Sequence, residues 1–340
     1  MEAFIVGTVE SLPTIVLFLI IFATLYTLSK GADILVEEAV RLSLLWKIPK
    51  VLIGATIVSL GTTLPEAAVS VMAAIQGNPD LALGNAVGSI ICDTGLIIGI
   101  ASLIGPLTLD KQMVNRQGWL QVGAGVLLVV VSLPYAAFFR DAPLGGRIPQ
   151  AVGFLFVILL AFYLWVSIRW SRDAIMEMTE EVEEETRPAP AGILLLKLAA
   201  GVALIILSSK VLIPAVEVSA YRIGIPQAVI AATLVAFGTS LPELVTAVTA
   251  ARKGHGELAV GNIIGADILN VLFVVGFSAS ATPGGLVVPP GFYFLQLPVM
   301  LLILLTFKGI THFEKKAIKP RQGVFLLLMY VGYTAASYLR

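Results

Sequence analysis

The chain has 340 residues, of which 58% are hydrophobic and 13% charged, and its mean hydropathy is +0.95. Soluble domains carry roughly 25% charged residues, so a soluble globular protein is excluded. The 22 basic and 22 acidic residues cancel, which leaves no overall field for nucleic acid, and a single cysteine with two histidines excludes a disulfide framework or a His/Cys zinc cluster.

A bilayer core about 30 Å thick takes about 20 apolar residues per helix. Apolar runs between polar punctuation predict ten spans in an all-α, multi-pass membrane protein. The first five lie near residues 12 to 40, 51 to 75, 80 to 104, 118 to 137 and 150 to 170, the first expected to be long and tilted. No Lys or Arg precedes Lys30, so a cleaved signal peptide with a basic start is not expected. Residues 171 to 190 follow, rich in glutamate between Glu177 and Glu185, and read as a solvated acidic linker without an EF-hand pattern. The remaining five spans lie near 192 to 220, 227 to 251, 257 to 279, 291 to 307 and 321 to 338. Lys and Arg concentrate on one side of this layout, leaving only Arg140, Arg147, Arg222 and Arg340 on the other. By the positive-inside rule both termini are expected outside and the acidic linker in the cytoplasm.

Shifting the sequence by 177 residues superposes Pro49 to Gly99 on Pro226 to Gly276 without a gap, with 21 of the 51 positions identical. The chain is therefore two copies of one unit, expected at residues 1 to 170 and 191 to 340. Five spans is an odd number, so the second copy would enter the membrane from the opposite face, an arrangement common in secondary transporters.

The run GTTLPE (61 to 66) lies mid-span, and so does GTSLPE (238 to 243). Pro65 and Pro242 lack an N–H and crowd the preceding turn, so the helix should break and free carbonyls near Gly61 and Gly238. Glu66 and Glu243 follow those prolines. A carboxylate at membrane depth costs several kcal/mol unless paired or coordinated, and the only nearby basic residue in either stretch is Arg252 at the far end of the seventh span. A cation is the natural partner. The second repeated segment reads GNAVGSIICD (84 to 93) and GNIIGADILN (261 to 270). Its glycines have the spacing that lets helices approach closely. Ser89 and Asp93 share one helical face, and Asn270 is the repeat mate of Asp93. Three carboxylates and one carboxamide make an all-oxygen site suited to Ca2+ or Na+.

On these motifs the sequence resembles the cation/Ca2+ exchanger superfamily, and most of all its prokaryotic Na+/Ca2+ exchanger branch. The resemblance implies ten helices in two inverted five-helix repeats around a mid-membrane cluster. It makes Glu66 and Glu243 ion ligands, with hydroxyls from Thr62, Thr63, Thr239, Ser240 and Ser89 and backbone oxygens from Ser59 and Ala236. Asp93 and Asn270 close the set. The resemblance departs at two points. The archaeal exchanger type closes the first repeat with the amide and the second with the acid, whereas here the order is reversed. One family hydroxyl is also lost at Ala266, and an extra acid stands at Asp267, which either adds a fourth charge to the site or, the favoured reading, hydrogen-bonds a broken helix.

Three negative charges balance either Ca2+ with one proton or three Na+, so the two loads exclude one another and exchange follows. Alternating access is expected from the first and sixth spans sliding over the core. The partner ions are thus Ca2+ and Na+, with H+ in place of Na+ as the alternative, and no prosthetic group is expected. A passive channel is a rival. An intramembrane enzyme is another, but HExxH is absent and His255 and His312 lie at loop edges.

Overall fold

The computed structural model describes residues 2–134, 145–177, 190–224, 236–314 and 316–338. In chain order the helices are α1 (Glu2–Ser11), α2 (Thr14–Trp46), α3 (Lys50–Thr62), α4 (Leu64–Ile75), α5 (Pro79–Ile104), α6 (Lys111–Ser132), α7 (Gln150–Glu177) and α8 (Ala191–Arg222). They continue as α9 (Ala236–Gly238), α10 (Leu241–Arg252), α11 (Gly256–Ala281), α12 (Pro290–Phe294), α13 (Gln296–Phe313) and α14 (Pro320–Tyr338). Among the described residues six helical stretches are long and apolar enough to cross a membrane, or seven if α3 and α4, bent by 46° at Thr63, form one span.

The 177-residue repeat is written in the backbone. Helix starts at Thr14, Leu64 and Pro79 recur at Ala191, Leu241 and Gly256. The residues capping them also match. Pro13 and Pro190 are extended (ψ 148° and 136°), and Thr63 and Ser240 share φ near −80° with ψ 0° and 7°.

Burial sorts the helices into an inner and an outer set. The most apolar window of α11 is 94% buried and that of α5 72%, whereas those of α2 and α8 are 22% and 33% buried. Leu19, Phe22 and Leu196 stand exposed on the outer pair, as on helices that face lipid. Inside, glycines set the closest approach. A Cβ on Gly54 would lie 2.6 Å from the Leu258 carbonyl oxygen, and Cβ atoms on Gly261 and Gly265 would collide with the carbonyls of Val51 and Ala55. The glycines of the second segment therefore pack α11 against α3.

Helices α2 and α8 run antiparallel against each other. Thr27 and Ser208 share a hydrogen bond of 2.8 Å, and Lys197 reaches Glu38 at 3.5 Å. At the other end Arg222 donates to the carbonyls of Leu12 and Glu10, both at 2.7 Å, pinning the chain between α1 and α2. Gly31 and Gly201 face one another at the crossing, where a Cβ on either would sit about 3 Å from the opposing backbone. Gly201→Val should therefore push the pair apart and lower the thermal unfolding temperature, because interfaces of this kind depend on small residues. Unfolding at the wild-type temperature would disprove it.

Several boundaries differ from expectation. The fourth helix begins at Lys111 rather than 118, because Lys111, Asn115, Arg116 and Gln117 dilute the apolar run without interrupting the helix. The ninth starts at Pro290 as expected but extends to Phe313, and Leu295 (φ −138°, ψ −63°) breaks it into α12 and α13. α7 runs on to Glu177, into the segment read as linker, and residues 178–189 of that linker lie outside the described residues, as does the start of the seventh span at 225–235. The all-α expectation needs one correction. Among the described residues four short strands form two antiparallel ribbons, Leu107–Thr108 (β1) with Ala317–Ile318 (β4) and Gly146–Ile148 (β2) with Leu286–Val288 (β3). Each ribbon joins one half of the chain to the other.

Candidate cation site

The predicted break falls one residue before Leu64: α3 ends at Thr62, and Pro65 has no N–H to offer the Gly61 carbonyl. Restarting there places Glu66 in the first turn of α4, and the same geometry places Glu243 in the first turn of α10. The N-terminus of a helix carries partial positive charge, which favours a carboxylate at that point.

Asp93 and Asn270 sit at a second kind of irregularity. Asp93 is the second residue of a π-helical turn, Cys92–Ile97 in α5, and Asn270 opens another, Asn270–Val275 in α11. A third, Gly54–Val58, lies in α3, where the Ser59 N–H reaches back to the Gly54 carbonyl and Tyr163 from α7 donates to the Ala55 carbonyl at 2.7 Å. Such turns widen the helix and cluster at functional sites.

The fold brings these residues to the centre of the bundle. Glu66, Asp93, Glu243 and Asn270 are each about 1% exposed. Both carboxylate oxygens of Glu66 and of Asp93, Oε2 of Glu243, both amide atoms of Asn270, and the hydroxyls of Ser89 and Ser240 have no hydrogen-bond partner among the described residues. Leaving so many buried oxygens unpaired costs about 1–3 kcal/mol each. Glu66 lies in electrostatic range of Glu243 and Asp93, and Asp93 of Glu243 and Asp267. Among the described residues no three acidic, imidazole or thiol groups converge tightly enough to form a metal cluster by themselves. An ion among these acids must therefore draw on hydroxyl and carbonyl oxygens as well.

The two halves interlock through a symmetric pair of bonds: Thr62 donates to Asn262 Oδ1 at 3.4 Å, and its repeat mate Thr239 donates to Asn85 Oδ1 at 3.0 Å. Asn85 in turn donates to the Glu66 carbonyl and to Ser70 Oγ. Thr63 donates to Glu243 Oε1 at 3.4 Å, so a hydroxyl of one half addresses the acid of the other. The Ser59 carbonyl already accepts from the Thr63 N–H and the Thr62 hydroxyl, and Ala236 opens α9.

Asp267 has a different setting from Asp93. Its Oδ2 accepts from Thr94 Oγ1 at 2.5 Å and from Gln121 Nε2 at 2.6 Å, tying α11 to α5 and α6, while Oδ1 has no partner. Sequence reasoning missed Thr94 and Gln121, and also Gln117, which donates to Ser167. The signal was present: Gln117 and Gln121 are fully buried, four residues apart and so on one face of α6, at the edge of and within a run read only for apolarity.

An oxygen-lined, buried acidic centre where two broken helices meet in a lipid-facing bundle defines an ion transporter of the membrane. The family model "Sodium/calcium exchanger protein" matches residues 16–169 and 193–339, and the chain belongs to that family. It is 33% identical over 344 residues to the sodium/calcium exchanger MaX1 of Methanosarcina acetivorans, covering 93% of this chain and 97% of that one. Inner membrane protein YrbG of Escherichia coli is 34% identical over 303 residues, covering 88% and 89%. Among solved structures, the sodium-calcium exchanger NCX_Mj soaked with zero Na+ and Ca2+ superposes with a TM-score of 0.78 at 25% identity, covering 96% of this chain and all of that one.

Proposed function

We propose that the chain is a secondary active antiporter that exchanges Ca2+ for Na+ by alternating access. It would have ten spans in two inverted five-helix repeats, residues 1–170 and 191–340, joined by an acidic cytoplasmic linker. The observation that carries this reading is the set of orphaned, buried oxygens on Glu66, Asp93, Glu243 and Asn270. Together with Thr62, Thr63, Thr239, Ser240 and Ser89, and the backbone oxygens of Ser59 and Ala236, they supply hard ligands for either ion. Three carboxylates balance Ca2+ plus a proton or three Na+, so one load displaces the other. The inverted layout is supported by the ribbons. With five spans per half, the connections holding β1 and β4 fall on one side of the membrane and those holding β2 and β3 on the other, which is how the strands pair.

Uptake of 45Ca2+ into proteoliposomes under outward Na+, K+ or H+ gradients tests the reading. Uptake driven by Na+ alone is expected. Uptake driven only by H+ would replace Na+ as the counter-ion, and uptake without any gradient would make the protein a channel.

The orientation has its own test. With both termini outside, a cysteine at Glu183 in a Cys92→Ala background resists membrane-impermeant thiol reagents in intact cells. Rapid labelling there overturns the topology.

A further inference from the structure

A second polar feature lies at the helix ends, away from the acids. Lys111, Gln112, Asn115 and Arg116 of α6 and Thr311 and His312 of α13 line a cavity of about 430 Å3 that contains no acidic side chain. Among the described residues, the acids next to these lining residues in sequence are already engaged. Asp110 accepts from the Met113 N–H as the cap of α6, and Glu314 accepts from Lys319 at 2.9 Å and Gln322 at 2.8 Å.

Beneath this cavity lies a buried cation. Lys308 is 4% exposed, and its Nζ donates to Asn115 Oδ1 at 2.6 Å and to the Asn115 carbonyl at 3.1 Å. Its ammonium also lies 5.1 Å from the centre of the Trp119 ring. All of these partners are neutral, and no carboxylate pairs with Lys308 among the described residues. A buried charge without a counter-charge is costly, and an anion one side chain away offsets it. Arg116 stacks 5.6 Å from the Trp170 ring, and tryptophans paired with cations mark the depth of the lipid headgroups.

We propose that this cavity binds a phosphate-bearing anion, held by Lys111 and Arg116 with Lys308 behind Asn115. Its chemistry is that of an anionic phospholipid headgroup or of free inorganic phosphate. Basic pockets between helix ends take lipid phosphates by this kind of attraction, about fivefold in affinity for each cation near the surface. The inference rests on the chain being a membrane protein and is independent of which ions it exchanges.

The test uses the purified full chain. Retention of phosphatidylglycerol against phosphatidylcholine is read by native mass spectrometry, and binding of 32P-labelled inorganic phosphate by equilibrium dialysis in phosphatidylcholine nanodiscs. Selective retention of phosphatidylglycerol upholds the site with a lipid ligand, and phosphate binding upholds it with a soluble one. In either case Lys111→Gln and Arg116→Gln should each weaken binding about fivefold. Lys111→Arg should restore it, and Lys316→Gln, on an exposed lysine outside the cavity, should leave it unchanged. Lys111 is exposed and Arg116 is half-buried beside Trp170, so thermal unfolding close to wild type is read alongside binding for both variants. Binding from neither source, or equal binding in the Lys111→Gln/Arg116→Gln double variant, overturns the proposal.

Discussion

Glu66→Gln, and separately Glu243→Gln, abolishes Ca2+-dependent exchange in proteoliposomes while the protein stays folded. Ca2+ gives up its water shell only to hard, charged oxygens, and a carboxamide keeps the shape and one oxygen but not the charge. The fold survives because, among the described residues, neither Glu66 oxygen has a hydrogen-bond partner to lose and Glu243 has one long bond from Thr63. Size-exclusion behaviour and thermal unfolding close to wild type, together with no measurable flux, are the expected results. Flux at the wild-type rate in either variant removes that glutamate from the site.

Asp93 carries the second large effect. Asp93→Asn leaves two charges at the site and should weaken Ca2+ binding at least about a hundredfold, since affinity at oxygen sites follows the number of charged ligands. Combining it with Asn270→Asp should recover part of the loss, because the repeat places residue 270 at the equivalent π-turn of the other half. Asp267→Asn should change little. An amide oxygen can still accept from Thr94 and Gln121, which already occupy Oδ2. Calorimetric titration of the four proteins at one pH and Na+ concentration decides the matter. A large loss in Asp267→Asn with near-normal binding in Asp93→Asn would make Asp267 the third ligand.

The parts of this structure legible in the sequence are those encoded locally or twice. The offset of 177 residues locates matching helix starts, and Pro65 and Pro242 announce the restarts after Thr63 and Ser240, because a missing N–H acts within one turn. Burial of Glu66 and Glu243 follows from acids set in apolar runs. The π-turns were not legible. Each changes one hydrogen-bond step over five or six residues and leaves composition and periodicity untouched. The ribbons escaped because two or three residues are too few to show an alternation. The bonds from Thr94 and Gln121 to Asp267 join three helices distant in sequence, and no local pattern records such a meeting.

The ribbons also set an order of assembly. Leu107 and Thr108 leave the ribosome about 210 residues before Ile318 and Ala317, their partners, and contacts of such long range form late. Until Thr239, Asn262 and α11 have followed, Glu66 and Asp93 of the first half lack the groups that enclose them. A chain stopped after the first repeat would therefore be an open half-shell with exposed acids and unpaired strand edges, a form that quality-control proteases can recognise. Synthesis of the second repeat closes it, so the lifetime of the nascent half is set by how fast translation reaches β4.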